Sequence, residues 1–136
     1  MLKGSCLCGA IRYEIDADLG PITNCHCGQC RKASGAAFAS NASVPAAAFR
    51  FVSGAELLGE WESSPGKRRC FCRQCGSPIL KRNDDNPDSI RLRLGTLDSD
   101  PGIKPSRNIY LGSKAPWYEI TDSLPKYEVS QEQSRK

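Results

Sequence analysis

The sequence has no stretch approaching the ~20 apolar residues that cross a bilayer as a helix, and its start, MLKGSCLCGAIRYE, lacks the apolar core of a secretory signal. Both absences point to a soluble cytoplasmic protein whose thiols stay reduced. No segment reads as a long helix, and no repeat of solenoid length appears. With 136 residues and 39% hydrophobic content, the chain suits one core that buries roughly two-thirds of its unfolded surface, and a second core is not expected. The domain is placed at residues 1–128. Composition turns polar beyond Pro125, so residues 129–136 are expected to form a disordered tail.

What the chain does have is sulfur. Its eight cysteines fall in three clusters: Cys6 and Cys8, then Cys25-His26-Cys27-Gly28-Gln29-Cys30, then Cys70-Phe71-Cys72-Arg73-Gln74-Cys75. The second cluster also contains the single histidine. Clustering of this kind favours metal ligation over a disulfide framework, more so in a reducing compartment. Zinc takes four ligands in a tetrahedron with sulfur at ~2.3 Å, and a Cys-x-x-Cys turn wraps one edge of it. An extended Cys-x-Cys presents both side chains on one face. All-cysteine tetrahedral sites also accept iron.

The simplest partition joins Cys6 and Cys8 to Cys72 and Cys75, a closed site that ties the N-terminus to the middle of the chain. Such a structural zinc contributes on the order of 10 kcal/mol to folding. Cys25, Cys27 and Cys30 then remain with no local fourth cysteine. Three protein ligands and one open position are the pattern of a catalytic zinc. Two residues compete for the fourth place. In an extended Cys-His-Cys, His26 points to the face opposite its neighbours. Cys70 shares a face with Cys72 if that segment is extended, and its expected fate is that of a small buried hydrophobe.

The scaffold around these clusters reads as mainly β. Strands are expected at 10–15, 36–44, 49–52, 57–62, 77–81 and 107–111. A further strand is expected in SIRLRLGTL, where Ile90, Leu92 and Leu94 alternate with Arg91 and Arg93, one face buried and the other solvated. Short helical turns are expected at VPAAAF and at SKAPWYEI.

Four segments carry a resemblance: GSCLCGAIRYE at 4–14, CHCGQCRKASGAAF at 25–38, FCRQCGSPI at 71–79 and NIYLGSKAPWYEITDSLPKYE at 108–128. Together they resemble the glutathione-dependent formaldehyde-activating enzyme (GFA) family, to which centromere protein V also belongs. The resemblance implies a compact β-sandwich-like, zinc-containing fold similar to that of methionine sulfoxide reductase B. It implies two zinc ions, a structural one on Cys6, Cys8, Cys72 and Cys75 and a catalytic one on Cys25, Cys27 and Cys30. The implied activity is that of a carbon-sulfur lyase, which forms or cleaves the S-hydroxymethyl adduct of glutathione and formaldehyde. The chain departs from the family at Cys70 and at Asn108, where some relatives place a histidine.

In the expected mechanism a small thiol enters the open metal position and is deprotonated there. Its sulfur then adds to the aldehyde carbon while zinc or a nearby donor stabilises the alkoxide. Arg31 and Lys32, and also Arg68 and Arg69, are candidate partners for the thiol's carboxylates. Trp117 and Tyr118 are candidates to wall a pocket or to pack in the core. The formal charge of +4 falls to +1 once seven ligating thiolates and two zinc ions are counted. That is too little to argue for nucleic acid, although GKRRCFCRQC is a dense basic patch. The remaining alternative is a zinc-stabilised interaction domain without turnover. Whether the chain forms a homodimer is left open by the sequence.

Overall fold

The structure is a computed structural model that describes residues 1–130. The chain is mainly β, and the described residues form ten strands in two sheets and one short helix. The smaller sheet has the order β1-β2-β5, formed by Leu2–Ser5, Arg12–Ile15 and Phe49–Ser53. The larger has the order β10-β3-β4-β9-β8-β7-β6. Its strands are β3 (Ile22–Cys25), β4 (Ala39–Pro45), β6 (Leu58–Ser64), β7 (Lys67–Cys72), β8 (Pro78–Asn83), β9 (Ser89–Arg93) and β10 (Pro105–Ile109). Pairing is antiparallel except between β3 and β10, which run parallel.

Period-two alternation gives the larger sheet two unlike faces. Val44 of β4, Ile90 and Leu92 of β9, Leu80 of β8 and Cys70 of β7 are buried together with Tyr13 and Ile15 of the smaller sheet. This is the core between the sheets. Tyr13 stacks on Phe49 with ring centres 5.0 Å apart, and its hydroxyl meets Thr96 Oγ1 at 2.7 Å. A Cβ on Gly4 would lie 2.2 Å from that tyrosine ring, so only glycine fits beneath it.

On the opposite face, register aligns Arg69 with Lys81, Lys81 with Arg91, Arg91 with Ser43, and Arg93 with Asn41. Asn41 in turn pairs with Thr23, whose neighbour two residues on, Cys25, shares this face. The arginine face of β9 was expected to be solvated, and the structure corrects this. Arg93 retains only 7% of its exposure, because this face forms the wall of a cavity.

Expected and observed strands differ mainly at their ends. Leu94 falls in a 3-10 turn after β9, and the strand expected from residue 36 starts at Ala39. Strands β1, β3 and β7 and helix α1 (Gly28–Ser34) were not anticipated. VPAAAF does contain a 3-10 turn at Ala46–Ala48, whereas the turn expected in SKAPWYEI lies earlier, at Leu111–Ser113. Of the anticipated tail, 131–136 lies outside the described residues. Val129 accepts a hydrogen bond from the Tyr110 amide at 3.1 Å. The segment before it covers the β10 edge, where the Asn108 amide donates to the Pro125 carbonyl and the Tyr127 amide to the Asn108 carbonyl.

Candidate metal centres and the cavity beside them

Cys6 and Cys8 sit in the turn between β1 and β2, while Cys72 ends β7 and Cys75 sits in the turn after it. Both turns are closed by a glycine at positive φ, Gly9 at 79° and Gly76 at 81°. The Gly9 amide returns to the Cys6 carbonyl and the Gly76 amide to the Cys72 carbonyl. Main-chain amides also point at sulfur, Ile11 N at Cys6 Sγ (3.3 Å) and Gln74 N at Cys72 Sγ (3.4 Å). Against the opposing effect of burial, the Ile11 amide and the neighbouring Cys8 and Cys72 sulfurs lower the Cys6 thiol. The Cys75 thiol is lowered to about 5, led by hydrogen bonding to Ser77.

All four sulfurs lie within 4.8 Å of one another. Two sulfurs each ~2.3 Å from a common centre at the tetrahedral angle are ~3.8 Å apart. The Cys6–Cys8 separation of 3.5 Å and the Cys8–Cys72 separation of 3.9 Å bracket that value. The set therefore fits a tetrahedral thiophilic ion, with every ligand position supplied by the chain.

The second group is built differently. Cys25 ends β3, the chain turns at His26, and Cys27 caps α1. The cap brings Cys27 Sγ within 3.3 Å of the Cys30 amide. One helical turn then places Cys30 beside Cys25, and the three sulfurs lie within 4.8 Å of one another. The Cys25 and Cys27 thiols, followed by the Arg93 and Arg69 charges, hold the Cys30 thiol well below its usual range against the opposing effect of burial. The same sharing pushes Cys25 up. The donor set of three sulfurs fits a metal that has one position left over.

Neither candidate for that position joins the group. His26 is fully buried, and its Nε2 lies 3.0 Å from Asn108 Oδ1. Asn108 Nδ2 donates to the Asp122 carboxylate at 3.1 Å, which fixes the amide's orientation and leaves Nε2 of His26 as the donor. Cys70 faces the inter-sheet core at 1% exposure, its thiol raised to about 11 by burial. Where a fourth ligand would stand, a cavity of about 600 Å³ opens onto Cys25, Cys27 and Cys30. Its far wall carries Lys67, Arg69, Lys81, Arg91 and Arg93, and Tyr110 closes one side.

Sequence reasoning singled out Arg31, Lys32, Arg68 and Arg69 as cationic partners, and of these only Arg69 lines the cavity. Arg31 and Lys32 follow Cys30 on α1, where each further residue rotates ~100° away from it, and Lys32 is exposed. Arg68 points the other way from Arg69 along β7 and pairs with Asp84 at 3.0 Å. Trp117 is 69% exposed, and Tyr118 lies near the rings of Phe38 and His26 rather than in the cavity wall. Lys67, Lys81, Arg91 and Arg93 were missed as a set. The signal was present in the alternation of SIRLRL, but which strand face meets Cys25 is a property of register.

Tyr110 was also missed. It is the single non-glycine residue at positive φ among the described residues (58°), and it packs against Cys25 and Cys30. A left-handed tyrosine is costly unless its surroundings impose it. Here the preceding residue, Ile109, is held by register with Cys25, and its carbonyl accepts from the His26 amide at 3.0 Å.

Comparison with known proteins agrees with this architecture. Residues 1–113 match the family model described as glutathione-dependent formaldehyde-activating enzyme. A putative glutathione-dependent formaldehyde-activating enzyme of Halomonas elongata is 33% identical over 129 residues, covering 88% of this chain and 81% of that protein. An uncharacterized lyase of Schizosaccharomyces pombe is 30% identical over 94 residues, covering 68% of this chain and 66% of its own. The crystal structure of a Rhodobacter sphaeroides protein superposes with a TM-score of 0.59 at 28% identity, covering 76% of this chain and 91% of that one. The extent of the family match and the two sulfur groups it brackets place this chain in the glutathione-dependent formaldehyde-activating enzyme family.

Proposed function

We propose that the protein is a carbon-sulfur lyase that makes or breaks the S-hydroxymethyl adduct of a glutathione-like thiol and a formaldehyde-like aldehyde, with Cys25, Cys27 and Cys30 holding the catalytic zinc. Cys6, Cys8, Cys72 and Cys75 hold a second, structural zinc in this reading. The observation that carries it is the contrast between four sulfurs gathered by the chain alone and three sulfurs that face a cavity. A zinc ion on those three cysteines would supply the acidity that turns a bound thiol into a nucleophile at neutral pH.

The chain's own residues do the rest. Three sulfurs would carry the ligand charge, and the Cys30 N–H, donating to Cys27 Sγ at 3.3 Å, orients that ligand. His26 and Asn108 lock the turn between Cys25 and Cys27, so two ligands keep their spacing as substrates come and go. Tyr110 and Ile109 cover one flank of the cysteines and limit access by water. In the adduct-forming direction the sulfur lone pair forms the new bond to the aldehyde carbon. The carbonyl π pair moves to oxygen, which takes up a proton to give the hydroxymethyl group. The cleaving direction is the reverse. The name carried by the Halomonas relative supports this choice of substrates.

The test is exchange spectroscopy with carbon-13 formaldehyde and glutathione, on protein shown by metal analysis to carry both ions. Faster interconversion of free and thiol-bound formaldehyde is expected. Unchanged exchange with both sites filled would overturn the assignment and favour an interaction domain without turnover.

A further inference from the structure

One face of the larger sheet carries five cations that have no carboxylate to answer them. Arg69, Lys81 and Arg91 stand in direct register across β7, β8 and β9. Adjacent strands are ~4.8 Å apart, and residues two apart on one strand are separated by ~7 Å. Lys67 and Arg93, two residues from Arg69 and Arg91 in opposite directions along the strands, complete a diagonal patch roughly 17 Å long. Three other arginines do have carboxylate partners: Arg50 with Glu14, Arg68 with Asp84, Arg82 with Glu60. Among the described residues none of the five makes an ion pair.

The sulfur of Cys30 interacts with the Arg93 and Arg69 charges, and the other hydrogen bonds these cations make are to neutral groups. Arg91 Nη1 donates to Ser43 Oγ at 3.0 Å, Arg93 to Asn41 Oδ1, and Arg69 Nη2 to Gln29 Oε1 at 3.2 Å. Among the described residues, Arg69 Nε and Nη1 are buried without a hydrogen-bond partner. Gathering like charges in a half-buried place costs free energy, and an unmet buried donor adds to that cost. Burial and the neighbouring Arg69 charge already depress the Lys81 ammonium. A cost of this kind is retained where an anion repays it.

The shape of the space gives the anion its place. Lys67, Lys81 and Arg91 line the cysteine cavity and also a second cavity of about 220 Å³ that continues along the sheet away from the sulfurs. The second cavity is otherwise walled by polar groups, among them Arg82 and Ser43. One molecule can therefore put a sulfur at Cys25, Cys27 and Cys30 and an anionic end at the far side of the cation patch.

We propose that the sheet face bearing Lys67, Arg69, Lys81, Arg91 and Arg93 is a carboxylate-binding site, and that it restricts the enzyme to thiols carrying more than one carboxylate. The proposal rests on the thiol reading of the three-cysteine site and adds the group that selects the thiol. Neutral or cationic thiols reach the same sulfur position but bring no carboxylate to the five cations. The expected partners of the carboxylates are thus on strands β7, β8 and β9, not on the helix that follows the cysteines.

Calorimetry with S-methylglutathione on the metal-loaded protein tests this without the metal-sulfur chemistry, because the thioether has no thiol to ionise. Binding is expected to weaken on the order of tenfold or more in Lys81→Met and in Arg91→Met, and to weaken with added salt. The diethyl ester of S-methylglutathione is expected not to bind, while Lys104→Met, on an exposed loop, leaves affinity unchanged. Lys81→Met should at the same time raise the melting temperature of the ligand-free protein, since it removes a repelled charge. Should Arg91→Met fail to fold, Lys67→Met takes its place. Equal affinity for acid and ester, or affinity unmoved in the lysine variants, overturns the proposal. Inorganic phosphate that displaces the ligand at equal concentration overturns it in favour of a phosphate site. Failure of formaldehyde exchange with glutathione would sink the catalytic reading and leave this binding result standing.

Discussion

Cys8 and Cys72 lie 64 residues apart in the chain and 3.9 Å apart in space, whereas Cys25, Cys27 and Cys30 meet within six consecutive residues. The first group joins a turn of the small sheet to a turn of the large one, so an ion held there closes a long loop and couples the two sheets. The second group closes no loop and is assembled by one local turn and a helix cap. On the proposed reading, an ion in the first cluster would serve folding, while the second cluster faces a cavity. Sulfur count alone does not separate these roles. What separates them is whether the chain, or the cavity, occupies the last corner of the tetrahedron.

The largest expected effect breaks the first cluster. Cys72→Ser should cost on the order of 10 kcal/mol, comparable with a domain's whole stability, and yield a chain that is unfolded by circular dichroism even with zinc present. Cys27→Ala is the matching change in the second cluster. It should leave a folded protein with one metal equivalent fewer, and lower adduct exchange on the order of 100-fold or more. If Cys27→Ala unfolds the chain as Cys72→Ser does, the comparison fails and both clusters are structural.

A smaller effect sharpens the account of the second cluster. Asn108→Ala strips His26 Nε2 of its acceptor and Asp122 of a donor. It should cost about 1–3 kcal/mol in urea unfolding. If the relay also holds the spacing of Cys25 and Cys27, the metal at that cluster alone should become easier to chelate.

The smallest effect concerns the cysteine that belongs to neither group. Cys70→Ala should cost about 1 kcal/mol and change no metal stoichiometry. Because burial raises the Cys70 thiol to about 11, from an ordinary value of 9.0, the folded state holds its proton more tightly than the unfolded one. Its contribution is complete below the unfolded value and is lost as pH rises through the folded one. Alkaline unfolding should therefore lose one step of pH dependence in Cys70→Ala, and a variant identical to the parent there would reject the buried-thiol account.

Much of the scaffold was legible because strand alternation is a local property. SIRLRL announces β9, and the Gly, Pro, Asn and Asp clusters announce the turns around it. Helix α1 was not legible, since seven residues with a cysteine as cap show too little periodicity to register. The extended reading of Cys-His-Cys gave way for the same reason: Cys25 closes a strand and Cys27 opens a helix, so the chain bends at His26. The cationic wall was the larger miss. Arg91 and Arg93 look like an exposed face until β4, β8 and β7 are laid beside them in register with Cys25 at the far end.

The order and spacing of the cysteines are written in the sequence, and with them the candidate metal-holding groups, because ligand spacing within a turn is fixed by backbone length. Which side of the cysteines stays open, and that five cations face it, was decided by the tertiary structure. Strand pairing brings together residues that are distant in the chain, and the direction each one faces follows from a register that no single segment contains.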